Sequence, residues 1–189
     1  MLINNDTIIK DTNPLIREKS EPVSLPLSQE DEQLLRDLFQ YVKDSTDEEK
    51  AEKMNLRPAV GISAIQVGIK KQLTAVIVDD ADKNGEPEHF EFMLVNPKII
   101  SSSLQKAYLS SGEGCLSVVE EHEGYVVRSA RVTVKAFDLL QNKEVTIRAR
   151  GYLAIVLQHV GRTFTSWVTS GDNDQLTLLH TVVLCKQGS

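Results

Sequence analysis

The chain has almost no cysteine. Cys115 and Cys185 are the only two in 189 residues, too few for a disulfide framework, and a reducing cytoplasm is the expected setting. It also has no apolar stretch long enough to span a bilayer. The N-terminal MLINNDTIIKDTNPL has no apolar segment behind a basic start, so no signal peptide is expected. Positive charge is in short supply: 21 Lys and Arg stand against 27 Asp and Glu, for a net charge of -6. That balance gives no electrostatic reason to expect a membrane surface or specific nucleic-acid recognition. Aromatic residues are 5% of the chain, with one Trp, and histidines number four. What is present is ordinary for a water-exposed globular protein: 41% hydrophobic and 25% charged residues, in a length that suits one domain spanning 1–189.

Residues 1–27 read as an extended arm carrying Pro14, Pro22 and Pro26. Ser28, with Asp31 three residues on, has the form of a capping box. Leu34, Leu35, Leu38, Phe39 and Val42 follow at helical spacing, which predicts a helix over 29–43. Residues 44–58 form a charged excursion with a short helix ended by Pro58, and LTAVIV at 73–78 reads as a buried strand. The polar 79–91 segment is expected as an exposed turn region. Leu94 to Ser103 reads as strands broken at Asn96-Pro97. Residues 131–138 and 144–150 alternate as two strands of a hairpin, with Val132, Val134 and Ala136 on one face. The apolar run 152–159 suits either a strand or a buried helix by periodicity alone. An α+β domain fits best.

Three short strings carry chemistry. The first is Ala59-Val60-Gly61-Ile62-Ser63-Ala64-Ile65-Gln66, whose small residues permit close backbone packing and whose Gln66 offers an amide donor to a developing oxyanion. The second is Glu113-Gly114-Cys115-Leu116-Ser117, with a thiol able to ligate zinc or ferrous iron as thiolate. A free Cys is more often a small buried hydrophobe. The third is Gln158-His159. A helix of the H-E-x-x-H type places two imidazoles on one face, with a Glu beside the first to move protons. Here Val160 stands at the Glu position and Thr163 at the second His. The remaining histidines, His89, His122 and His180, read as surface residues.

In this order, over roughly residues 6–159, the strings resemble the peptide deformylase family, whose patterns are G-x-G-x-A-A-x-Q, E-G-C-L-S and Q-H-E-x-D-H. The 44–58 excursion and NPKIISSS resemble its type II, Gram-positive branch. The resemblance implies a fold in which mixed or antiparallel strands pack around a central helix bearing the last motif. It implies a divalent metal, ferrous iron in the family, and hydrolytic removal of the formyl group from N-terminal formyl-Met of nascent polypeptides. It matches Cys115 and His159 to two metal ligands, and Gln66 and the Leu116 N–H to the oxyanion donors. Val60, Gly61 and Gly114 match positions that hold the substrate peptide as an added strand. Ile155 and Val156 match the pocket for the first side chain, with Glu113 pairing with Arg128 behind the ligands. A ribosome-associated, cytoplasmic monomer is what the family implies.

The departures are Ala59 for the first Gly, Ser63 for an Ala, Val160 for the acid/base, Arg162 for the Asp and Thr163 for the third ligand. Gly161, Thr163 and Thr165 weaken the helix itself. Arg162 adds a positive charge near the metal position, which opposes cation binding. From Val160 onward the composition changes. Residues 160–189 hold only Arg162, Asp172, Asp174 and Lys186 as charged residues, together with Trp167 and five threonines. A reading-frame shift would produce such a change, whereas Ala59 and Ser63, far upstream, point to drift. The expectation is a catalytically impaired or inactive deformylase-like chain. The alternatives are an active enzyme with a substitute ligand from the tail (His180, Cys185, Asp172 or Asp174), a non-catalytic peptide-binding paralogue, and an unrelated cytoplasmic α+β domain.

Overall fold

A computed structural model of the chain describes residues 1–82, 84–120 and 124–161. Arg162, Thr163, His180, Cys185 and the other tail positions named above lie outside the described residues, as does His122.

Helix α1 spans Gln29–Ser45, and the Ser28 side chain accepts from the Asp31 N–H at 3.1 Å, which is one half of the expected capping box, while the Asp31 carboxylate pairs with Lys71. Its Leu34, Leu35, Leu38 and Val42 are buried. The short helix α2, Glu48–Met54, lies within the charged excursion. Five strands form one sheet in the order β1 (Gly61–Ser63), β2 (Leu73–Ala81), β3 (Pro87–Ser102), β6 (Arg131–Asp138), β7 (Lys143–Arg150). Every neighbouring pair in it is antiparallel. Two short strands, β4 (Lys106–Ala107) and β5 (Arg128–Ser129), pair separately. Helix α3 spans Gly151–Gly161, which resolves the 152–159 ambiguity in favour of helix.

The sheet separates two cores. On one face α1 packs over Leu73, Ala75, Met93 and Val95. On the other, α3 packs over Val76, Val78, Leu94, Val132, Val134 and Ile147. Alternation along β2 sends neighbouring apolar residues into different cores, so LTAVIV reads as a continuous run. The architecture is α+β, with the motif-bearing helix buried against an antiparallel sheet.

Two local expectations need correction. The 79–91 segment is not one turn: β2 runs to Ala81 and β3 begins at Pro87, pairing Asp79 with His89 and Asp80 with Glu88. A ladder is made by backbone groups, so polar side chains do not end it where both faces meet water. The turn itself is short, with the Asp82 carboxylate accepting from the N–H groups of Asn84 (2.6 Å) and Glu86 (2.9 Å). Asn96-Pro97 likewise does not break β3. Asn96 takes φ 51°, the register shifts between Val95 and Lys98, and the strand continues. A bulge absorbs the missing proline N–H. The Asn96 amide spans the Val23 backbone, accepting its N–H at 2.9 Å and donating to its carbonyl at 2.8 Å.

Candidate functional site

Helix α3 delivers Gln158 and His159 to the interior. Its residues Leu153 to Val160 are all buried, as an almost wholly apolar helix requires. Its N-terminus is held from β2: Asp80 accepts the Leu153 N–H at 2.9 Å, beside Gly151 at φ 57°. The left-handed φ favours glycine here, and a Cβ at Gly151 would press on that carboxylate at 3.2 Å. Gln158 fixes the other end. Its amide accepts from Ser129 N–H at 2.9 Å and donates to the Ser129 and Ala154 carbonyls at 2.8 and 2.9 Å.

His159 is 1% exposed and its Nδ1 lies 3.1 Å from Glu113 Oε2 and 2.9 Å from Arg128 Nη2. Arg128 donates to both Glu113 oxygens, at 2.8 and 2.7 Å, so the Glu113–Arg128 pairing expected from sequence is present. Burial alone would raise the Glu113 carboxyl, but hydrogen bonds from His159 and Arg128 outweigh it and hold it down at about 2.

Cys115 is 6% exposed, and its sulfur accepts the Ser117 N–H at 3.2 Å. Burial pushes its thiol up to about 12 against the hydrogen bonds from Ser117 and Val118. Gln66, in a 3-10 turn over Ala64–Val67, accepts the Ser63 N–H at 3.0 Å and points its amide nitrogen at Ser117 Oγ, 3.5 Å away. The arm of residues 1–27 ties both strings together. Ile9 N–H donates to the Gln66 carbonyl (2.9 Å), Asp11 N–H to the Ser117 carbonyl (2.7 Å), and Lys10 Nζ to the Leu116 carbonyl (3.0 Å). The Leu116 side chain itself is fully buried.

Gln66 and Cys115 are thus linked through Ser117, and Cys115 and His159 through the short Glu113-to-Ser117 segment. Beside them lies a groove of about 1110 Å³ whose walls include Ala59, Val60, Gly112, Gly114, Ile77 and Tyr152. Val60 and Gly114 border it, as do the polar Asp79, His89 and Glu91. Ile155 and Val156 are 3% and 1% exposed, within α3, and do not border this groove. Val160 is 3% exposed, and its Cγ1 lies 3.0 Å from where a Cβ on Gly61 would be. An apolar side chain therefore occupies the turn of helix that follows His159, and it packs on the Gly61 backbone.

The described residues alone do not make up a tight site for a divalent ion. Among the described residues no three His, Cys, Asp or Glu side chains are gathered so as to hold one. Of the described residues, Cys115 and His159 would supply two donors while Glu113 is committed to Arg128, and two protein donors hold a divalent ion poorly compared with three.

Lys10, Asp80 and Ser117 went unnoticed in the sequence. Ser117 stands inside a string that was singled out for its cysteine, whereas nothing local marks Lys10 or Asp80, whose partners lie 106 and 73 residues away.

The sequence model of the polypeptide deformylase family matches residues 5–161. A curated peptide deformylase of Oceanobacillus iheyensis is 48% identical over 158 residues, 84% of each chain. Peptide deformylase 2 of Bacillus subtilis is 45% identical over 158 residues, 84% of this chain and 83% of that one. Among solved structures, peptide deformylase from Ehrlichia chaffeensis in complex with actinonin superposes with TM-score 0.66 at 28% identity, over 87% of this chain and 84% of that one. A Met-Ala-Ser-bound class I type b peptide deformylase from Acinetobacter baumannii gives 0.64 at 26% identity, over 87% and 94%. With the antiparallel sheet, the buried motif helix and the three strings in place, these matches make the chain a member of the peptide deformylase family.

Proposed function

We propose that this chain is a peptide deformylase-like protein whose family reaction, metal-dependent removal of the formyl group from N-terminal formyl-Met of nascent polypeptides, is impaired or lost. The observation that carries the reading is Val160, an apolar side chain sealed against Gly61 at the position of the proton-transferring carboxylate. Such a carboxylate contributes roughly 10²–10⁴-fold in rate. The incomplete donor set adds to this, because a bound metal supplies the activated water of this reaction class. The family match ends at residue 161, where the composition changes, which supports a tail that no longer carries the family's last ligand.

In this reading Val60 and Gly114 border a groove that accepts an extended peptide, with Gly61 in the strand beside it. Gln66 and the Leu116 N–H face the reacting carbonyl, Cys115 and His159 are former ligand positions, and Ile155 and Val156 back the first side-chain pocket. The setting is cytoplasmic and the chain monomeric, meeting its peptides near the ribosome. No helix among the described residues is long and apolar enough to cross a membrane.

The 48% identity to a curated deformylase favours a second reading, an active enzyme whose third donor comes from residues 164–189. Steady-state hydrolysis of a formyl-Met peptide by the full chain separates the two. Turnover absent under ferrous loading supports impairment, and turnover that disappears when residues 164–189 are deleted supports the substitute donor.

A further inference from the structure

The net charge of -6 conceals a segregated surface. Residues 128–150 hold six of the chain's 21 Lys and Arg and only two of its 27 Asp and Glu. The alternation that sends Val132, Val134 and Ala136 into the α3 core turns Arg131, Thr133 and Lys135 to the opposite face. The ladder then sets cation beside cation: Lys98 opposite Lys135, Arg131 opposite Arg150, with Arg148 opposite Thr133 between them. All five cations are exposed. Lys135 reaches Glu144 only at 3.9 Å, and Arg150 lies in the field of Asp82. Among the described residues Lys98, Arg131, Arg148 and Arg150 make no ion pair within 4 Å.

Like charges directly opposite one another weaken a strand pair, so fold stability does not account for this arrangement. Guarding a sheet edge with cations accounts for Arg148 and Arg150 on the edge strand β7. It does not account for Arg131 and Lys135 on β6, which has β3 on one side and β7 on the other; Lys98 lies beyond Val95, the last β3 residue paired with β2. We infer that the outer face of β3, β6 and β7 docks on the phosphate backbone of duplex RNA through Lys98, Arg131, Lys135, Arg148 and Arg150.

The rest of the face selects this partner. Ser101, Thr133 and Thr146 supply hydroxyls, which with Lys and Arg are the usual donors to phosphate and sugar. Its one aromatic, Phe137, is partly buried against the α1 core, which leaves no open ring for single-stranded bases to stack on. Membrane binding draws on buried apolar area, and beside the exposed Ile100 of β3 the exposed positions here are polar: the five cations, Ser101, Glu144 and Thr146. A-form RNA is contacted across a wide, shallow groove through phosphates and 2′-hydroxyls, which suits a sheet face. B-form DNA is read by an element inserted into its major groove, and none projects here. The inference is independent of whether the chain hydrolyses a formyl-peptide, so its failure and that of the functional reading are read separately.

The test uses the full chain and a fluorescent 20-base-pair RNA duplex, followed by anisotropy at 50 and 200 mM salt. A DNA duplex of the same length and vesicles containing phosphatidylglycerol serve as competitors. With about four phosphates neutralised, affinity should fall on the order of 100-fold between the two salt concentrations. Arg131→Glu with Arg148→Glu should lose at least ten-fold, whereas Lys53→Glu on α2 should change nothing. Should the reversal variant lose its native circular dichroism, Arg131→Gln with Arg148→Gln replaces it, with the same expectation. Absence of saturable binding at 50 mM overturns the inference. So does an equal loss with Lys53→Glu, or tighter binding to the DNA duplex or the vesicles.

Discussion

Replacing Glu113 by Gln probes the buried triad on which the geometry around His159 depends. The Glu113 and Arg128 side chains are 1% and 0% exposed, so the guanidinium has no water to turn to when its partner is neutralised. Breaking a buried pair by removing one member costs about 3–5 kcal/mol. The depressed carboxyl points to the same order of magnitude. The carboxyl is held at about 2 against the ordinary 4.5, and about 1.36 kcal/mol per pH unit of depression makes roughly 3 kcal/mol. The sign follows from linkage. A depressed carboxyl stabilises the fold above about pH 4.5, and that contribution is lost as pH falls toward 2. Urea unfolding at pH 7 should therefore show Glu113→Gln less stable by about 3 kcal/mol, a midpoint lower by roughly 1–3 M for a typical slope. The difference from wild type should shrink between pH 4.5 and pH 2. Glu113→Gln combined with Arg128→Met should cost less than Glu113→Gln alone, because no uncompensated charge remains. A single-variant cost below about 1 kcal/mol, or a double variant whose cost is the sum of the singles, would refute this account of the triad.

Three further outcomes follow from other contacts. Gly61→Ala should destabilise by about 1–3 kcal/mol, because its Cβ would meet Val160 Cγ1 at 3.0 Å and the Ala75 carbonyl at 3.3 Å; in a Val160→Ala background the cost measured by urea unfolding should fall. Asp80→Ala should remove the cap on α3 and cost about 0.5–2 kcal/mol, with Asp80→Asn retaining most of it; equal thermal midpoints for the two variants would contradict the cap. Tyr41 donates to the Arg57 carbonyl at 3.0 Å, and burial pushes its hydroxyl up to about 12 from 10. Stability from this group is complete below pH 10 and declines as pH rises toward 12, where the unfolded chain ionises first. Tyr41→Phe should lose about 1 kcal/mol at pH 7 and show a shallower alkaline decline.

The elements whose burial is one-sided were legible in the sequence. Ser28 with the Leu34-to-Val42 spacing gave α1 to within two residues at its C-terminus, and the alternation at 131–138 gave β6. The polar β2–β3 ribbon was not, because a ladder with water on both faces leaves no hydrophobic period to read. Nor was the continuity of β3 through Asn96, whose φ is held by a side-chain contact to Val23, 73 residues away. At the site, the strings marked where Gln66, Cys115 and His159 lie along the chain. The ties that bring them together (Gln158 to Ser129, Lys10 to Leu116, Asp80 to Leu153) are single hydrogen bonds or pairs of them between distant segments. Such pairings leave no periodic trace in either segment.

Metal stoichiometry tests the central claim of impairment most directly. The full wild-type chain and the variant Val160→Glu with Thr163→His are to be loaded with ferrous or nickel ions, desalted, and analysed for metal per chain alongside turnover of a formyl-Met peptide. The wild type should retain well below one ion and show no turnover. Val160→Glu alone should behave like it, because two donors remain, whereas the double variant should gain metal and with it activity, and adding Arg162→Asp should raise both. One tightly held ion per wild-type chain, with turnover comparable to the restored variant, would contradict the account and assign the missing donor to residues 164–189.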